Sequence, residues 1–528
     1  MPLKGTCRQT RLRALFIQIR RIGRNLTVSY SKRHSVEIGS SKTQIASRRE
    51  AVPSIGSSLR LWIYACCALA MSSASWEASA AEGDPFRTDS ALTHRTGDLR
   101  DPLGHDCAVP GGRLSFAAAV DLALCRNPQT RSAWAAAHQQ AAALGSAESA
   151  WLPTVTASGG VAREFGEHVD VTGATEAGPQ NSADATVNLS WTLYDFGART
   201  GRIKSARALL DAAAATVSSV AQQLVRVVVQ SYYGAVAADS ALTASKATEG
   251  AAANSLDVAR SLRDGGVGTL ADVLQAETAH DQAVLNRVQA YATAMTARGT
   301  LAVTLGQSAE QSFVLDPEPI PSEVPALTAR MADLMAEAVR QRPDLAAAQA
   351  QRDSAEADIT VARALGRPTI TVGALHTFNY QQGVPNLDYN QVGVNVTVPL
   401  FTGFSVNYGV RQAQAALQLR EANLDQVNLQ VTQDVWSAYY ALDSANQQLT
   451  VTGALIKTAE QNEEVALGRY RAGVGSIVDV LTAQTGAANA RIVRINAELG
   501  WKLARAQLAL ALGRLSSAQP LVDSKTIP

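Results

Sequence analysis

Tyr470-Arg471-Ala472-Gly473-Val474-Gly475-Ser476, leading to Asp479-Val480-Leu481, and Gly266-Val267-Gly268-Thr269, leading to Asp272-Val273-Leu274, are the stretches that decide how this chain folds. In each, glycine permits left-handed backbone. Thr269 or Ser476 is then placed to cap a following helix. Asp272 or Asp479, three residues on, completes a capping box with Asp in the usual Glu position. A phosphate-binding loop would need GxxxxGK[ST], and neither stretch has the lysine. Both read as the tips of helical hairpins.

Working outward, the two tips stand 207 residues apart, and that offset persists. It pairs Val187-Asn188 with Val394-Asn395, Leu193-Tyr194 with Leu400-Phe401, Tyr232-Tyr233 with Tyr439-Tyr440, and Leu305-Gly306 with Leu512-Gly513. Nearer the start, Leu152-Pro153-Thr154-Val155-Thr156 matches Arg367-Pro368-Thr369-Ile370-Thr371 at an offset of 215. The eight-residue change falls in the Gly-rich stretch 165–183, which reads as a longer loop in the first copy. The body is therefore a duplication. Boundaries follow: 114–307 for the first repeat, 329–514 for the second, a Pro-rich linker over 308–328 and a tail over 515–528.

Each copy reads as helix, strand, loop, strand, long helix, tight turn, long helix. Ala185, Val187, Leu189, Trp191 and Leu193 alternate with Thr186, Asn188, Ser190 and Thr192. Val392, Val394, Val396, Val398 and Leu400 repeat the pattern. Segments 152–164 and 369–380 are the partners expected for these strands. One apolar and one polar face suits a half-buried sheet and a lipid-facing barrel wall equally well. No proline occurs from 180 to 316 or from 400 to 519, as long helices require. Ile203, Ala206, Leu210, Ala213, Val217, Val220, Leu224 and Val227 recur at three-four spacing, a coiled-coil seam. The second copy keeps six of the eight equivalents, with Arg420 and Asp434 breaking it.

At the N-terminus, residues 1–60 hold 13 Lys or Arg against only Glu37 and Glu50. The apolar run Leu61 to Met71 follows, then Ala78-Ser79-Ala80, a small-x-small cleavage site. Residues 1–80 therefore read as a signal peptide with a long basic flank, and 81–113 as a mature N-terminal extension. Tyr64 stands two before Cys66, where lipidation would need a small residue, so no lipid anchor is expected. In the mature chain Cys107 and Cys125 remain. Two alternatives stand for them: a disulfide, which an oxidising periplasm favours, or two free thiols.

Beyond residue 60 the chain carries 34 basic and 44 acidic side chains. A mildly acidic body with few aromatics argues against nucleic-acid binding. No body segment offers 18 or more consecutive apolar residues, which excludes an inner-membrane transporter. The seven histidines are scattered singly, more like surface or packing residues than ligands, and no nucleophile elbow or paired-acid motif stands out. No catalytic role, cofactor or metal site is expected.

The duplicated strand pair, the proline-free helices and the Gly-tipped hairpins, together with Leu114-Ser115-Phe116 to Asn127-Pro128 as an opening helix, resemble the TolC family of outer-membrane channel-tunnels over about residues 110–515. The absent lipid anchor and the Cys107–Cys125 segment resemble its type I secretion branch, and within it the channels that export a cyclolysin-like adenylate cyclase toxin. The resemblance implies an α+β membrane protein in which four strands per chain contribute to a trimeric β-barrel continued by an α-helical coiled-coil barrel. It implies a homotrimer, outer-membrane lipid, a periplasmic adaptor docking at the hairpin tips, and an inner-membrane ABC transporter supplying the energy to export a protein substrate. Asp272 and Tyr470 match constriction positions of the family. Its type member has a basic residue and an aspartate at positions matching Gly475 and Thr482, so that ionic partner is missing here. Chain physics points independently to an oligomer, because four strands leave edges that lipid does not tolerate. Two other readings are an outer-membrane channel of a multidrug efflux pump and a surface coiled-coil adhesin, although the latter leaves the duplicated strands unexplained.

Overall fold

The structure, a computed structural model, describes residues 83–514 apart from 98, 100, 104–106, 108–112, 170–172, 174, 312, 317–329 and 383–384. The stretches read as a signal peptide and a tail, and most of the one read as a linker, lie outside the described residues. Each repeat opens with two helices rather than one: α2 (Phe116–Arg126) and α3 (Pro128–Ser149) in the first, α6 (Met331–Gln341) and α7 (Pro343–Ala364) in the second. Pro128 and Pro343 sit at the first turn of the second helix in each pair, where a missing N–H costs no bond. Ahead of the first repeat, α1 (Thr88–Thr96) lies in the N-terminal extension, and β1 (Arg113–Leu114) pairs in parallel with β4 (Val314–Leu315).

Strands β2 (Thr154–Val169), β3 (Thr175–Tyr194), β5 (Thr369–Gln381) and β6 (Leu387–Thr397) form one antiparallel sheet in the order β2-β3-β5-β6. The stretch 165–183 is not a longer loop. It is mostly strand, so the eight extra residues lengthen the first hairpin. β5 pairs with β3 only from Ser182 onward, and the β2–β3 pairs from Val169↔Thr175 to Arg163↔Asn181 run on beyond it. That overhang is about 23 Å at ~3.3 Å per residue. Gln180, Asn181, Gln381 and Gln382 hydrogen-bond one another where the second hairpin ends.

The helices after the sheet have equal lengths in both copies. α4 (Ala198–Asp264) and α8 (Ser405–Arg471) have 67 residues each, roughly 100 Å at 1.5 Å per residue. Their partners α5 (Leu270–Thr304) and α9 (Ile477–Ala511) have 35 each. α4 contains one window apolar enough to cross a bilayer, but close to half of that window is buried inside the protein, against neighbouring helices. In α4 the expected seam is half right. Ile203, Leu210, Val217 and Leu224 are buried, whereas Ala206, Ala213 and Val220 are half-buried and Val227 is 37 % exposed. Ala214, Ala221, Val228 and Ala235 are buried instead. α4 packs against α3, α5, α7 and α9 together, and this rotates its buried arc by one residue. In α8 burial begins only at Val431 and continues through Val435, Ala438, Leu442, Ala445 and Leu449. The two residues that broke the second seam have polar partners: Arg420 donates to Gln351, and Asp434 accepts from Arg342 at 2.7 Å.

The main core lies midway along the bundle, where Phe116, Val120, Leu224, Val228, Tyr232, Leu301 and Leu305 meet. The Tyr232 hydroxyl donates toward the carbonyls of Leu114 and Asp316 and so ties the β1–β4 pair to α4. The sheet, by contrast, is uncovered: β6 is exposed along its whole length.

Candidate functional site: the hairpin tips

At the first tip α4 ends in a left-handed glycine, Gly266 with φ 79°. Its N–H donates to the Arg263 carbonyl and that of Val267 to Leu262, both at 2.9 Å, which satisfies carbonyls at the helix end. Gly268 lies against the end of the same helix, and a Cβ there would meet the Arg263 nitrogen at 2.9 Å. Thr269 Oγ1 accepts from the Asp272 N–H at 3.2 Å, while the Asp272 carboxylate accepts from the Thr269 N–H at 3.0 Å. The second tip repeats this arrangement. Gly473 has φ 76°, its N–H donates to Tyr470, and that of Val474 donates to Arg469. A Cβ on Gly475 would meet the Tyr470 nitrogen at 3.1 Å. Ser476 and Asp479 exchange bonds of 3.3 and 3.4 Å. Val267 and Val474 are 70 % and 67 % exposed, so each tip presents an apolar side chain to solvent.

Between the tips the hairpins share a small core: Leu256, Ala259, Val273 and Ala276 from the first, Tyr470, Ile477 and Val480 from the second. Tyr470 is only 5 % exposed, and its hydroxyl has no hydrogen-bond partner among the described residues. Burial raises its pKa, and the negative charge of Asp272 adds to that. The structure thus brings Asp272 and Tyr470 together, one from each hairpin, within one chain. Asp479 is engaged in its cap.

Sequence reasoning missed two polar links across the hairpins. Gln484 Nε2 donates to Ser255 Oγ at 2.8 Å and to the Ala251 carbonyl at 3.2 Å, and Gln484 is 7 % exposed. Arg471 donates to Asn254 at 3.1 Å. The available signal was a glutamine at the seam spacing of Val480 and Ala487. A shallow groove beside the tips is lined by Leu274, Gln275, Thr278, Gln282 and Leu481. Away from the tips, Cys107 and Cys125 are joined as a disulfide with Cα atoms 6.0 Å apart, and Arg126 donates twice to the Cys107 carbonyl. Among the described residues no group of His, Cys, Asp and Glu could hold a metal ion. The tips cap their helices and pack the two hairpins together.

This architecture has known counterparts. The outer membrane efflux protein family matches residues 119–307 and 334–514, one segment in each repeat. The chain is 34 % identical over 404 residues to Protein CyaE of Bordetella pertussis, covering 75 % of this chain and 84 % of that protein. It is 23 % identical over 361 residues to the outer membrane protein TolC of Salmonella enteritidis, covering 66 % and 72 %. The crystal structure of the outer membrane protein VceC from Vibrio cholerae superposes with a TM-score of 0.64 at 18 % identity, covering 75 % of this chain and 96 % of that one. With a duplicated strand-and-hairpin unit matched in both copies, the chain belongs to the outer membrane efflux protein family and is an outer-membrane channel protein.

Proposed function

We propose that this chain, as a homotrimer, is the passive exit duct of a type I secretion system. The observation that carries the reading is the bare sheet: four strands, two open edges and, among the described residues, no covering layer. Backbone groups on an open edge cannot be left unpaired in lipid. A membrane barrel needs about eight or more strands, so four per chain require several chains, and three would give twelve.

Aromatic residues mark the two ends of that wall. Trp191, Tyr194, Phe196, Phe401 and Phe404 lie at or just past the strand ends that lead into the long helices, while Phe378, Tyr380 and Tyr389 lie at the far end. Ile370, paired with Tyr194, and Tyr380 are ten residues apart on β5. This is about 33 Å along a strand, or roughly 25 Å of height at a tilt near 40°, the thickness of the lipid-facing band of outer-membrane barrels. Aromatic belts at both interfaces follow. The overhang of the first hairpin then extends past the outer belt.

Below the barrel the paired long helices would continue as a periplasmic duct. Its tips, with Val267 and Val474 exposed beside Gly266, Gly268, Gly473 and Gly475, are the docking points for a periplasmic adaptor. An inner-membrane ABC transporter would drive export of the protein substrate, a toxin in the branch that the sequence resembles. Asp272 would line the constriction, and Tyr470, buried between the two hairpins, would back it. Identity of 34 % to Protein CyaE, against 23 % to TolC, favours this branch over the drug-efflux alternative. The test is the extracellular protein profile of a strain lacking the gene. Loss of one large exported protein supports the reading, whereas unchanged secretion with new drug sensitivity supports efflux.

A further inference from the structure

The N-terminal extension is folded against the bundle. α1 lies on α3 and α4, with Leu92 fully buried among Trp134, Ala141, Leu144, Ile203 and Leu210. It is a short helix of nine residues, and Arg87 at its N-cap adopts a left-handed φ of 53° without a side-chain cap bond. A helix this short does not hold its shape without tertiary support.

On the outer side of this contact, His138 of α3 stands between two carboxylates. Its Nδ1 is 3.0 Å from Asp89 Oδ1 on α1, and its Nε2 is 2.7 Å from Asp101 Oδ2 in the segment after α1. An ionised carboxylate only accepts, so both bonds form only when both ring nitrogens carry protons. A neutral imidazole would turn one lone pair toward a carboxylate. Burial opposes the charged ring, but the hydrogen bonds and charges of Asp101 and Asp89 outweigh it, and the pKa of His138 is raised above 6.5. The other charged groups around this contact are Asp84, which accepts from the Asp89 N–H, the Arg95–Asp211 pair joining α1 to α4, and the Arg207–Glu148 pair joining α4 to α3.

We propose that His138 is a proton-operated clasp that docks the chain's own N-terminal extension, through residues 84–97 and Asp101, on the α3–α4 face, and that rising pH releases it. Release uncovers the apolar strip formed by Trp134, Leu144, Ile203 and Leu210. The Cys107–Cys125 disulfide lies downstream and keeps the released segment tethered. The sign is that of a histidine with a raised pKa. The clasp is fully formed below about 6.5 and is lost as pH climbs through the higher value of the folded state.

Hydrogen–deuterium exchange of the intact, detergent-extracted protein at pH 5.5 and 8.5, corrected for intrinsic exchange rates, tests this. Peptides covering Thr88–Thr96 should lose protection severalfold at the higher pH. Peptides of the core around Leu224–Tyr232 should keep theirs. His138→Gln should give the same α1 protection at both pH values, and Asp101→Asn should move the transition to lower pH. Equal α1 protection at both pH values in the unsubstituted protein, or unchanged pH dependence in His138→Gln, would overturn the proposal.

Discussion

Asp272 is asked to do two things at once: its carboxylate closes the capping box with Thr269, and its charge lies near the buried Tyr470 hydroxyl. Substitutions separate these roles. Thr269→Ala removes the cap alone and should cost about 1 kcal/mol (range ~0.5–2) in thermal stability, with ion selectivity unchanged. Asp272→Asn keeps the side-chain shape but removes the charge. If Asp272 lines the constriction, cation selectivity in single-channel recordings should fall, since acidic rings favour cations in a narrow pore. Unchanged selectivity at normal oligomer yield would reduce it to a cap. Tyr470 offers a sharper check. Its hydroxyl is buried and unpartnered among the described residues, a condition that costs about 1–3 kcal/mol. Tyr470→Phe should therefore leave melting unchanged or raise it. A clear loss of stability would mean that the hydroxyl is bonded by a neighbouring copy.

At the scale of the element, the buried arc of α4 makes a prediction of its own. Leu224 is 2 % exposed and Val227 is 37 % exposed, though both stood in the seam read from spacing. Leu224→Ala should cost about 2–5 kcal/mol, measured by thermal unfolding. Val227→Ala should stay within roughly 0.5 kcal/mol, and the reverse order would refute the register. The seam was half legible because α4 is rich in alanine. Ala206 and Ala213 on one flank and Ala214 and Ala221 on the other are the same small side chain, so spacing alone cannot say which flank is covered. The helix ends at the tips were legible, since Gly266, Thr269 and Asp272 each encode their own backbone geometry. The first hairpin's length was hidden because Gly166, Gly178 and Pro179 are poor strand formers, and the antiparallel ladder overrides that composition. The polar links at Gln484 and His138 join residues far apart in sequence, and only the fold brings them together.

At the scale of the whole molecule, the account turns on what a single chain leaves uncovered. Val392, Val394 and Val396 on β6 are 78, 67 and 56 % exposed, and Leu419, Leu429, Trp436 and Tyr440 lie exposed along α8. Exposed apolar surface on this scale needs lipid or protein against it. Lipid can cover one face of the sheet, but only further strands can satisfy its two edges. The duplication explains why so few copies would suffice: with each chain bringing four strands and two helical hairpins, three chains would close both a twelve-stranded wall and a ring of six hairpins. The most direct test of this claim is the native mass of the protein extracted from outer membranes in mild detergent. The account predicts a mass of three mature chains that falls to one on heating. A water-soluble monomer, or a detergent-stable species of one chain, would contradict it.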